Sequence, residues 1–341
     1  MDVPDRRGQF GVTTSNCLCV RFGCAGSART VGGVCRNGGD GVAYIGNVPE
    51  GDTIHRTASA LRTALIGRPT VRFDAPRLVG PSPQAGRTIE DIVSHGKHLE
   101  IRWDDGIILH THMRMTGSWH LYRTGERWRR PYRQLRASIE TDQWVAVCFN
   151  APVVETYREP DRRRHPGMGR LGPDLCDVHA DLGQVVNLLL SYPDPDARLR
   201  DVLLDQRAMC GVGNVYRCEV LWATELSPWA HVGDLSHRDA VLVVNTAARQ
   251  LRANLHHARR VTADGVPGGL AVYGRNGQGC PRCHDTIEVR RVGEHARLLY
   301  WCPGCQVRLD PRLADDTREM DPHPAASKYL ADLPWRRADA G

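Results

Sequence analysis

The stretch CPRCHDTIEVRRVGEHARLLYWCPGC, residues 280–305, carries the strongest structural signal in the sequence. Two CxxC pairs, Cys280 with Cys283 and Cys302 with Cys305, are separated by eighteen residues that alternate like a β-hairpin. Each pair on a tight turn lets two thiolates converge, which is the spacing of a four-thiolate zinc ribbon. A redox dithiol is the weaker alternative, because it does not explain two pairs at hairpin spacing. Four protein ligands leave no open coordination position, so we expect one structural Zn2+ ion and not a catalytic one.

A second signal lies upstream, in LLDQRAMCGVGNVYRCEVLW, residues 203–222. Gly211 and Gly213 fall between two helical patterns, where glycine lets backbone N–H groups approach an anion and the next helix directs its N-terminal dipole to the same point. Asn214 could cap that helix or donate to a phosphate. Taken alone, the motif is a weak signal, and a plain helical-hairpin turn is the default interpretation.

The N-terminal half combines one helical pattern with many short strand patterns. DTIHRTASALRTALIG, residues 52–67, places apolar residues on one helix face, with Asp52 or Thr53 as the expected cap and Gly67 as the stop. Between about 70 and 157, short alternating runs are separated by Gly, Asp and Pro turns, which favours a β-sandwich or barrel. We therefore predict an α+β multidomain fold with an N-terminal β-sandwich, a helical domain and a C-terminal zinc hairpin.

The predicted domains follow the changes in pattern along the chain. Residues 1–48 show neither helical nor strand periodicity and are predicted to be an upstream extension that is not native. The remaining boundaries are a β-sandwich domain at 49–160, a Pro/Gly-rich linker at 161–179, a helical domain at 180–268, the zinc finger at 269–308 and a disordered tail at 309–341.

Composition narrows the classes of function. The formal charge of +6 mildly favours a polyanionic partner. No apolar run is long enough to span a membrane and the N-terminus lacks a signal-peptide pattern, so we expect a cytoplasmic protein. Only Lys97 and Lys328 are lysines among 45 basic residues, which indicates a GC-rich genome. A lysine retained under that bias is a candidate functional residue, although a solvated surface position is the alternative for Lys97.

Five motifs occur here in one order: PEGDTIHR (49–56), HGKHLE (95–100), GVGN (211–214), VYGRNGQGCPRC (272–283) and WCPGCQ (301–306). This ordered set resembles the formamidopyrimidine-DNA glycosylase and endonuclease VIII family over roughly residues 49–307. The resemblance implies a helix–two-turn–helix domain, a zinc finger and a bifunctional DNA glycosylase and abasic-site lyase of base excision repair. The implied partner is double-stranded DNA with damaged bases or abasic sites, bound by a monomer.

The resemblance also implies roles for individual residues. Pro49 would be the nucleophile and Glu50 the acid/base group, and the base would be flipped out of the duplex before attack. The other implied roles are Lys97 and Arg297 as catalytic contacts to phosphate, Asn214 with Gly211 and Gly213 as the phosphate-binding turn, and Met115, flanked by Arg114 and Thr116, as the side chain inserted into the gap left by the base. A core methionine is the alternative for Met115.

One departure from the family pattern concerns Pro49. The family's proline is the first residue of the mature chain, whereas here Pro49 is internal, and its nitrogen is then a tertiary amide without nucleophilic character. The preceding residue is Val48, and GTG encodes valine internally but methionine at initiation. We therefore expect translation to begin at Val48; the alternative is a true extension, either cleaved or retained in a catalytically silent DNA-binding protein.

The motifs also bear on the choice within the family. PEGDTIH, HGKHLEIRW and THMRMTGSW look closer to the actinobacterial-type endonuclease VIII branch, which favours oxidised pyrimidines over oxidised purines. A non-enzymatic zinc-dependent DNA-binding protein is the competing class. An RNA-directed zinc ribbon is a third class, disfavoured because only four phenylalanines are available among stacking aromatics.

Overall fold

The computed structural model describes residues 49–313. In chain order the elements are helix α1 (Gly51–Leu65), strands β1 (Arg72–Asp74), β2 (Ile89–His95), β3 (His98–Trp103), β4 (Ile107–His112), β5 (Ser118–Arg123), β6 (Leu135–Glu140), β7 (Trp144–Phe149) and β8 (Val153–Arg158), helices α2 (Leu182–Leu190), α3 (Leu199–Val202), α4 (Asn214–Ala223) and α5 (His237–Ala253), and strands β9 (Glu288–Val292) and β10 (Arg297–Trp301).

The N-terminal region is the predicted β-sandwich. Two antiparallel four-stranded sheets, in the orders β1-β6-β7-β5 and β2-β3-β4-β8, enclose an apolar core, and α1 packs against β2. The alternation of the strands directs one side chain in two inward, so Ile92, Leu99 and Trp103 are fully buried with Ile54 and Leu61 of α1. Burying each such side chain stabilises the fold by about 1.5–3 kcal/mol.

The predicted cap of α1 is wrong. The N-cap residue is Glu50, not Asp52 or Thr53, and the helix ends at Leu65, two residues before Gly67, which has a φ of +74°. Asp52 does not cap because its buried carboxylate forms a bidentate pair with Arg260, at 3.0 and 2.5 Å. This ion pair connects the first helix to the segment that follows α5.

The helical domain is built around α2, α4 and α5. Ser236 begins α5 with a capping box, accepting from the Asp239 N–H while the Asp239 carboxylate accepts from the Ser236 N–H. The apolar faces of the three helices share one core with Leu203 and Met209, two residues of the segment that leads into the GVGN turn. That packing fixes the position of the turn.

The C-terminal region is the predicted β-hairpin of β9 and β10, with Arg297 paired to Val292 across the strands. Its core includes Trp222 of α4, so the hairpin is packed against the helical domain. Residues 309–313, within the predicted tail, include a 3₁₀ turn at Pro311–Leu313. The expectations for residues 1–48 and 314–341 fall outside the described residues. Among the described helices, none combines the length and apolarity needed to cross a membrane.

Candidate active site

Glu50 lies at the contact between the β-sandwich domain and the helical domain. Its side chain is buried and accepts hydrogen bonds from three backbone N–H groups at the start of α4: Gly213 at 3.1 Å, Val215 at 2.7 Å and Tyr216 at 3.2 Å. These are N–H groups that a helix leaves without internal partners, and a carboxylate also complements the helix dipole. Glu50 therefore occupies the anion site that the sequence assigns to the GVGN turn.

The close packing of Glu50 against the GVGN turn requires glycine at positions 211 and 213. A Cβ atom on Gly213 would lie 2.3 Å from Cδ of Glu50, and Gly211 has a φ of +101°. The Gly211 carbonyl also accepts from the Gly51 N–H at 2.9 Å. Pro49, partly exposed, is thus held directly beside the turn through its two successors.

Lys97 belongs to the β-sandwich and lies in a hairpin turn that packs beside the GVGN turn. It lies with Gly96 in the two-residue turn between β2 and β3, where His95 pairs with His98. The Gly96 N–H donates to Asp174 Oδ2 at 2.8 Å, and a Cβ on Gly96 would lie 2.7 Å from Cβ of Cys210. The hairpin turn is therefore packed directly against the residue that precedes Gly211.

Burial and nearby charged groups together set the electrostatics at this point. Burial lowers the pKa of Lys97 to about 8, Arg297 and Arg217 act in the same direction, and the Glu50 carboxylate opposes them. Arg297 is exposed overall at the start of β10, and partial loss of water around its guanidinium, together with the neighbouring Arg217, lowers its pKa. Lys97, Arg217 and Arg297 thus outnumber the two carboxylates beside them, Glu50 and Asp201, and the excess of positive charge suits an anionic ligand.

Asn214 does not cap α4, because its side chain faces the hairpin. Its Nδ2 donates to the Leu298 carbonyl at 2.8 Å and its Oδ1 accepts from Arg217 at 2.5 Å. Asn214 thus connects the GVGN turn to the strand that carries Arg297. The side chain of Arg217, which the sequence analysis missed, is almost fully buried beneath this contact; no sequence motif marks it.

Met115 lies on the loop between β4 and β5, three residues after His112, which pairs with His98 beside Lys97. Its side chain is 70% exposed, which excludes the core-methionine alternative; the core residue of this segment is Met113. Arg114 adopts a φ of +45°, and its N–H donates to Nδ1 of His112 at 3.2 Å. Thr116 anchors the loop by donating to the Asn150 carbonyl at 3.1 Å. The loop therefore presents an apolar side chain to solvent.

The four predicted metal ligands are brought together. Sγ of Cys280 lies 3.7 Å from Sγ of Cys305, and Sγ of Cys283 lies 3.4 Å from Sγ of Cys302. A tetrahedral ion with metal–sulfur bonds of about 2.3 Å requires sulfur–sulfur edges of about 3.8 Å, so the set fits a structural metal ion. Cys280 Sγ also accepts from Nε1–H of Trp222 at 3.4 Å, which suits a thiolate.

A buried histidine network behind Lys97 was not predicted. His110 Nδ1 lies 2.9 Å from Glu155 Oε1, His165 Nε2 lies 3.1 Å from the same oxygen, and His98 Nδ1 lies 2.8 Å from His110 Nε2. The Gly167 N–H donates to His165 Nδ1, so Nε2 is the protonated nitrogen of that ring. That ring has no lone pair left for a metal, and ordered hydrogen bonds account for the cluster.

The network predicts acid lability. Burial lowers the pKa of His98 to about 2 and that of His112 to about 4, so both are neutral in the folded protein at neutral pH. Below about pH 6.5 the unfolded chain binds protons that the folded chain does not, and stability therefore falls as pH falls. We expect a loss approaching about 1.4 kcal/mol per pH unit for each histidine between pH 6 and 5. Urea unfolding at pH 7, 6 and 5 measures it, and an unchanged midpoint would contradict it.

A second missed residue is Glu219 of α4. Its fully buried carboxylate accepts from Thr262 and from the N–H groups of Ala271, Val272 and Tyr273, at 2.5 to 2.9 Å. It fixes the start of VYGRNGQG against the helical domain. A lone glutamate in a helical pattern gives no sign of this role, because its partners, one hydroxyl and three backbone N–H groups, lie 43 to 54 residues away along the chain.

The fold and the site define a class of protein. A β-sandwich and a helical domain meet at a buried glutamate, a glycine turn and a cationic cluster, with a four-cysteine hairpin packed beside them. This is the architecture of the helix–two-turn–helix DNA glycosylases. The site lies where both domains contribute, and its charge suits a nucleic-acid backbone.

Comparison with known proteins gives the family. Residues 48–152 match the formamidopyrimidine-DNA glycosylase N-terminal domain, and residues 171–264 match the formamidopyrimidine-DNA glycosylase H2TH domain. The chain belongs to the formamidopyrimidine-DNA glycosylase and endonuclease VIII family, as the resemblance predicted.

Two relatives and one solved structure illustrate the similarity. The chain is 36% identical over 270 residues to the probable endonuclease 8 2 of Streptomyces coelicolor, covering 78% of this chain and 96% of that protein. It is 38% identical over 264 residues to the DNA-(apurinic or apyrimidinic site) lyase Nei2 of Mycolicibacterium smegmatis, covering 76% and 99%. The Lactococcus lactis formamidopyrimidine-DNA glycosylase bound to abasic-site DNA shares the fold, with a TM-score of 0.65, 20% identity and coverage of 76% and 100%.

Proposed function

We propose that this protein is a bifunctional DNA glycosylase and abasic-site lyase of base excision repair. The observation that carries the proposal is the convergence of three separate segments: Pro49 with Glu50, the Lys97 hairpin turn, and the GVGN turn. The names and activities of the relatives support the same reaction class.

Pro49 acts as the nucleophile in this proposal. Its secondary amine attacks C1′ of the deoxyribose, the N-glycosyl bond breaks, and the base leaves with a proton. Loss of the ring oxygen bond gives a cationic iminium, which accepts electrons as the strand phosphate is eliminated. Glu50, directly behind Pro49, exchanges the protons of these steps. An α-amino group suits the role because its pKa of about 7.7–8 leaves roughly a tenth of it or more unprotonated at pH 7, far more than a lysine amine with a pKa of about 10.4.

Lys97, Arg297 and Asn214 bind the phosphates that flank the target nucleotide, and Gly211 and Gly213 shape the turn that carries Asn214, because their N–H groups already donate to Gln206 and Glu50. Met115 enters the gap left by the flipped base, and Arg114 contacts the duplex beside it. Exposure of Met115 on a loop supports that role. The partner is double-stranded DNA with damaged bases or abasic sites, bound by a monomer, which places the protein at the nucleoid of a bacterial cell.

The four cysteines hold one Zn2+ ion in a structural role. Thiolates at tetrahedral spacing are the preferred ligands of zinc, and all four positions come from the protein. The ion supplies folding energy to the hairpin, and the chain's own residues carry the reaction.

Oxidised pyrimidines are the proposed substrate class. The support is the similarity to endonuclease 8 and Nei2 proteins over nearly their whole length. A preference for oxidised purines is the alternative within the same chemistry, and excision assays on matched duplexes with thymine glycol or 8-oxoguanine separate the two.

The amine of Pro49 must be free for this chemistry. The family match begins at residue 48, which supports a mature N-terminus at Pro49, reached by initiation at Val48 or by cleavage. A second candidate function, a silent damaged-DNA-binding protein, follows if Pro49 stays internal. Borohydride trapping on abasic-site duplex, using protein expressed from its own gene and upstream region, tests the proposal. Mass spectrometry of a DNA adduct on a peptide that begins at Pro49 would support the enzyme.

Lys97 gives this site a pH dependence. With its pKa near 8 in the free protein, Lys97 loses its charge above that pH, whereas a phosphate contact stabilises the cation. Binding then takes up a proton above pH 8, so affinity for a duplex with an abasic-site analogue should fall with rising pH, by up to about tenfold per unit. Fluorescence anisotropy at pH 7, 8 and 9 measures it on the chain with internal Pro49, whose amide does not titrate.

The control for this dependence is Lys97→Arg, whose guanidinium stays charged over the same range. We expect its affinity to change little between pH 7 and 9. An equally steep decline in Lys97→Arg would show that another group titrates.

A further inference from the structure

The β5–β6 side of the sandwich contains an open pocket of about 290 Å³ outside the site described above. Its charged lining residues are Arg77, Arg133 and Arg136, and no carboxylate lines it. Within residues 49–313 the three guanidinium groups have neither an ion pair nor a hydrogen bond. Three like charges around one concavity repel each other unless an anion lies between them.

Arg136 is held at this pocket by the backbone. It lies in β6 at a register shift, where Leu135 pairs with Phe149 and Ala137 pairs with Cys148. Such a bulge turns a side chain away from the regular alternation. Its Nε atom is buried without a hydrogen-bond partner, and Arg136 itself is one of the residues that line the pocket. The nearby Asp74 carboxylate accepts from the Tyr132 hydroxyl at 2.8 Å.

The pocket adjoins the loop that carries Met115. Its wall includes Asn150, whose carbonyl accepts from Thr116 and whose N–H donates to Gln134 at 2.9 Å. Thr116 is the neighbour of Met115, so the arginine pocket and the exposed methionine are joined through a single residue. A duplex that receives Met115 between its bases must bring backbone phosphates over this end of the sandwich.

We propose that Arg77, Arg133 and Arg136 form a phosphate-binding pocket for the backbone of the duplex next to the Met115 insertion point. The inference rests on the proposed function, because Met115 locates the duplex. Guanidinium groups match a phosphodiester through paired N–H donors, and all three arginines line the same pocket. The pocket adds a contact to DNA outside the cluster of Lys97, Asn214 and Arg297.

The test combines arginine substitutions in the full-length protein with neutralised phosphates in the DNA and measures binding. The ligand is a duplex with a tetrahydrofuran abasic analogue, in which single phosphates near the lesion on either strand are replaced by uncharged methylphosphonates. We expect Arg133→Gln and Arg136→Gln each to weaken binding by about tenfold and to reduce the salt dependence of log K by about 0.9. At one phosphate position, neutralisation should weaken the wild-type complex and leave these variants unchanged.

Arg68→Gln is the matched control, because Arg68 belongs to the same domain and its charge is already paired with Asp142 at 3.0 Å. Arg77→Gln and Arg133→Gln replace exposed residues, so they test the pocket even if Arg136→Gln fails to fold. Wild-type affinity in both exposed variants, or strictly additive effects at every phosphate position, would overturn the proposal. Inorganic phosphate bound without such coupling to DNA would also overturn it.

This experiment separates the pocket from the proposed reaction. The tetrahydrofuran analogue cannot form a Schiff base, so binding is measured without the amine of Pro49. If the duplex binds but the arginine substitutions show no coupling to any neutralised phosphate, only the pocket proposal is overturned. If no borohydride adduct forms, only the proposed reaction is overturned. If the wild-type chain binds no duplex, the pocket falls together with the DNA function.

Discussion

A protein that begins at Pro49 is expected to form a borohydride-stable adduct with abasic-site duplex, and a protein in which Pro49 is internal is expected to form none. The difference should be at least about 1,000-fold in the initial rate of trapping, because the amide nitrogen has no lone pair to donate and no other group replaces the nucleophile. Single-turnover trapping at saturating protein, followed by gel electrophoresis, measures the two rates.

The matched control adds a single alanine before Pro49. This chain keeps every described contact of Glu50, but its free amine belongs to the added alanine and Pro49 is an amide. We expect it to bind the tetrahydrofuran duplex normally and to form no borohydride-stable adduct with abasic-site duplex. An adduct at equal rate in the chain with internal Pro49 would show that another amine is the nucleophile. Lys97 is then the first candidate, because its pKa near 8 leaves part of it unprotonated at neutral pH.

Local patterns predicted the parts of the fold that depend on near neighbours. Two CxxC pairs fixed the hairpin, because a tetrahedral ion has few ways to join two tight turns. The alternating runs predicted the sandwich, since a strand half buried in a sheet must alternate. The set of motifs in order led to Pro49, Lys97 and Asn214, and the structure places the surroundings of these residues in one region.

Contacts between distant backbone groups could not be predicted in the same way. Glu50 was assigned a chemical role, but its second role as the carboxylate at the start of α4 depends on N–H groups more than 160 residues away. The expected cap of α1 failed for a related reason: Asp52 is an ordinary capping residue by type, and its pairing with Arg260 overrides the local preference. Type and spacing carry no information on such partners.

Loss of the metal ion is expected to weaken DNA binding by about 100-fold or more while the sandwich stays folded. The hairpin core is small and shares its apolar residues with Trp222, so without the ion it cannot offset the entropy of ordering two strands. Arg297 then loses its fixed position, and Asn214 loses the Leu298 carbonyl that orients it. Two phosphate contacts worth about 1.5–3 kcal/mol each disappear together.

Cys302→Ser tests this expectation, with Cys305→His as its partner. Three thiolates and one imidazole still bind zinc, so Cys305→His should keep the ion and most of the affinity, whereas Cys302→Ser should lose both. Cys148→Ala removes a buried sulfur of the sandwich instead and controls for the loss of a cysteine. Metal content, anisotropy with the tetrahydrofuran duplex and thermal unfolding give the three readouts. Full affinity in a metal-free Cys302→Ser protein would show that the hairpin positions neither Arg297 nor Asn214, and binding would then depend on the sandwich and the GVGN turn alone.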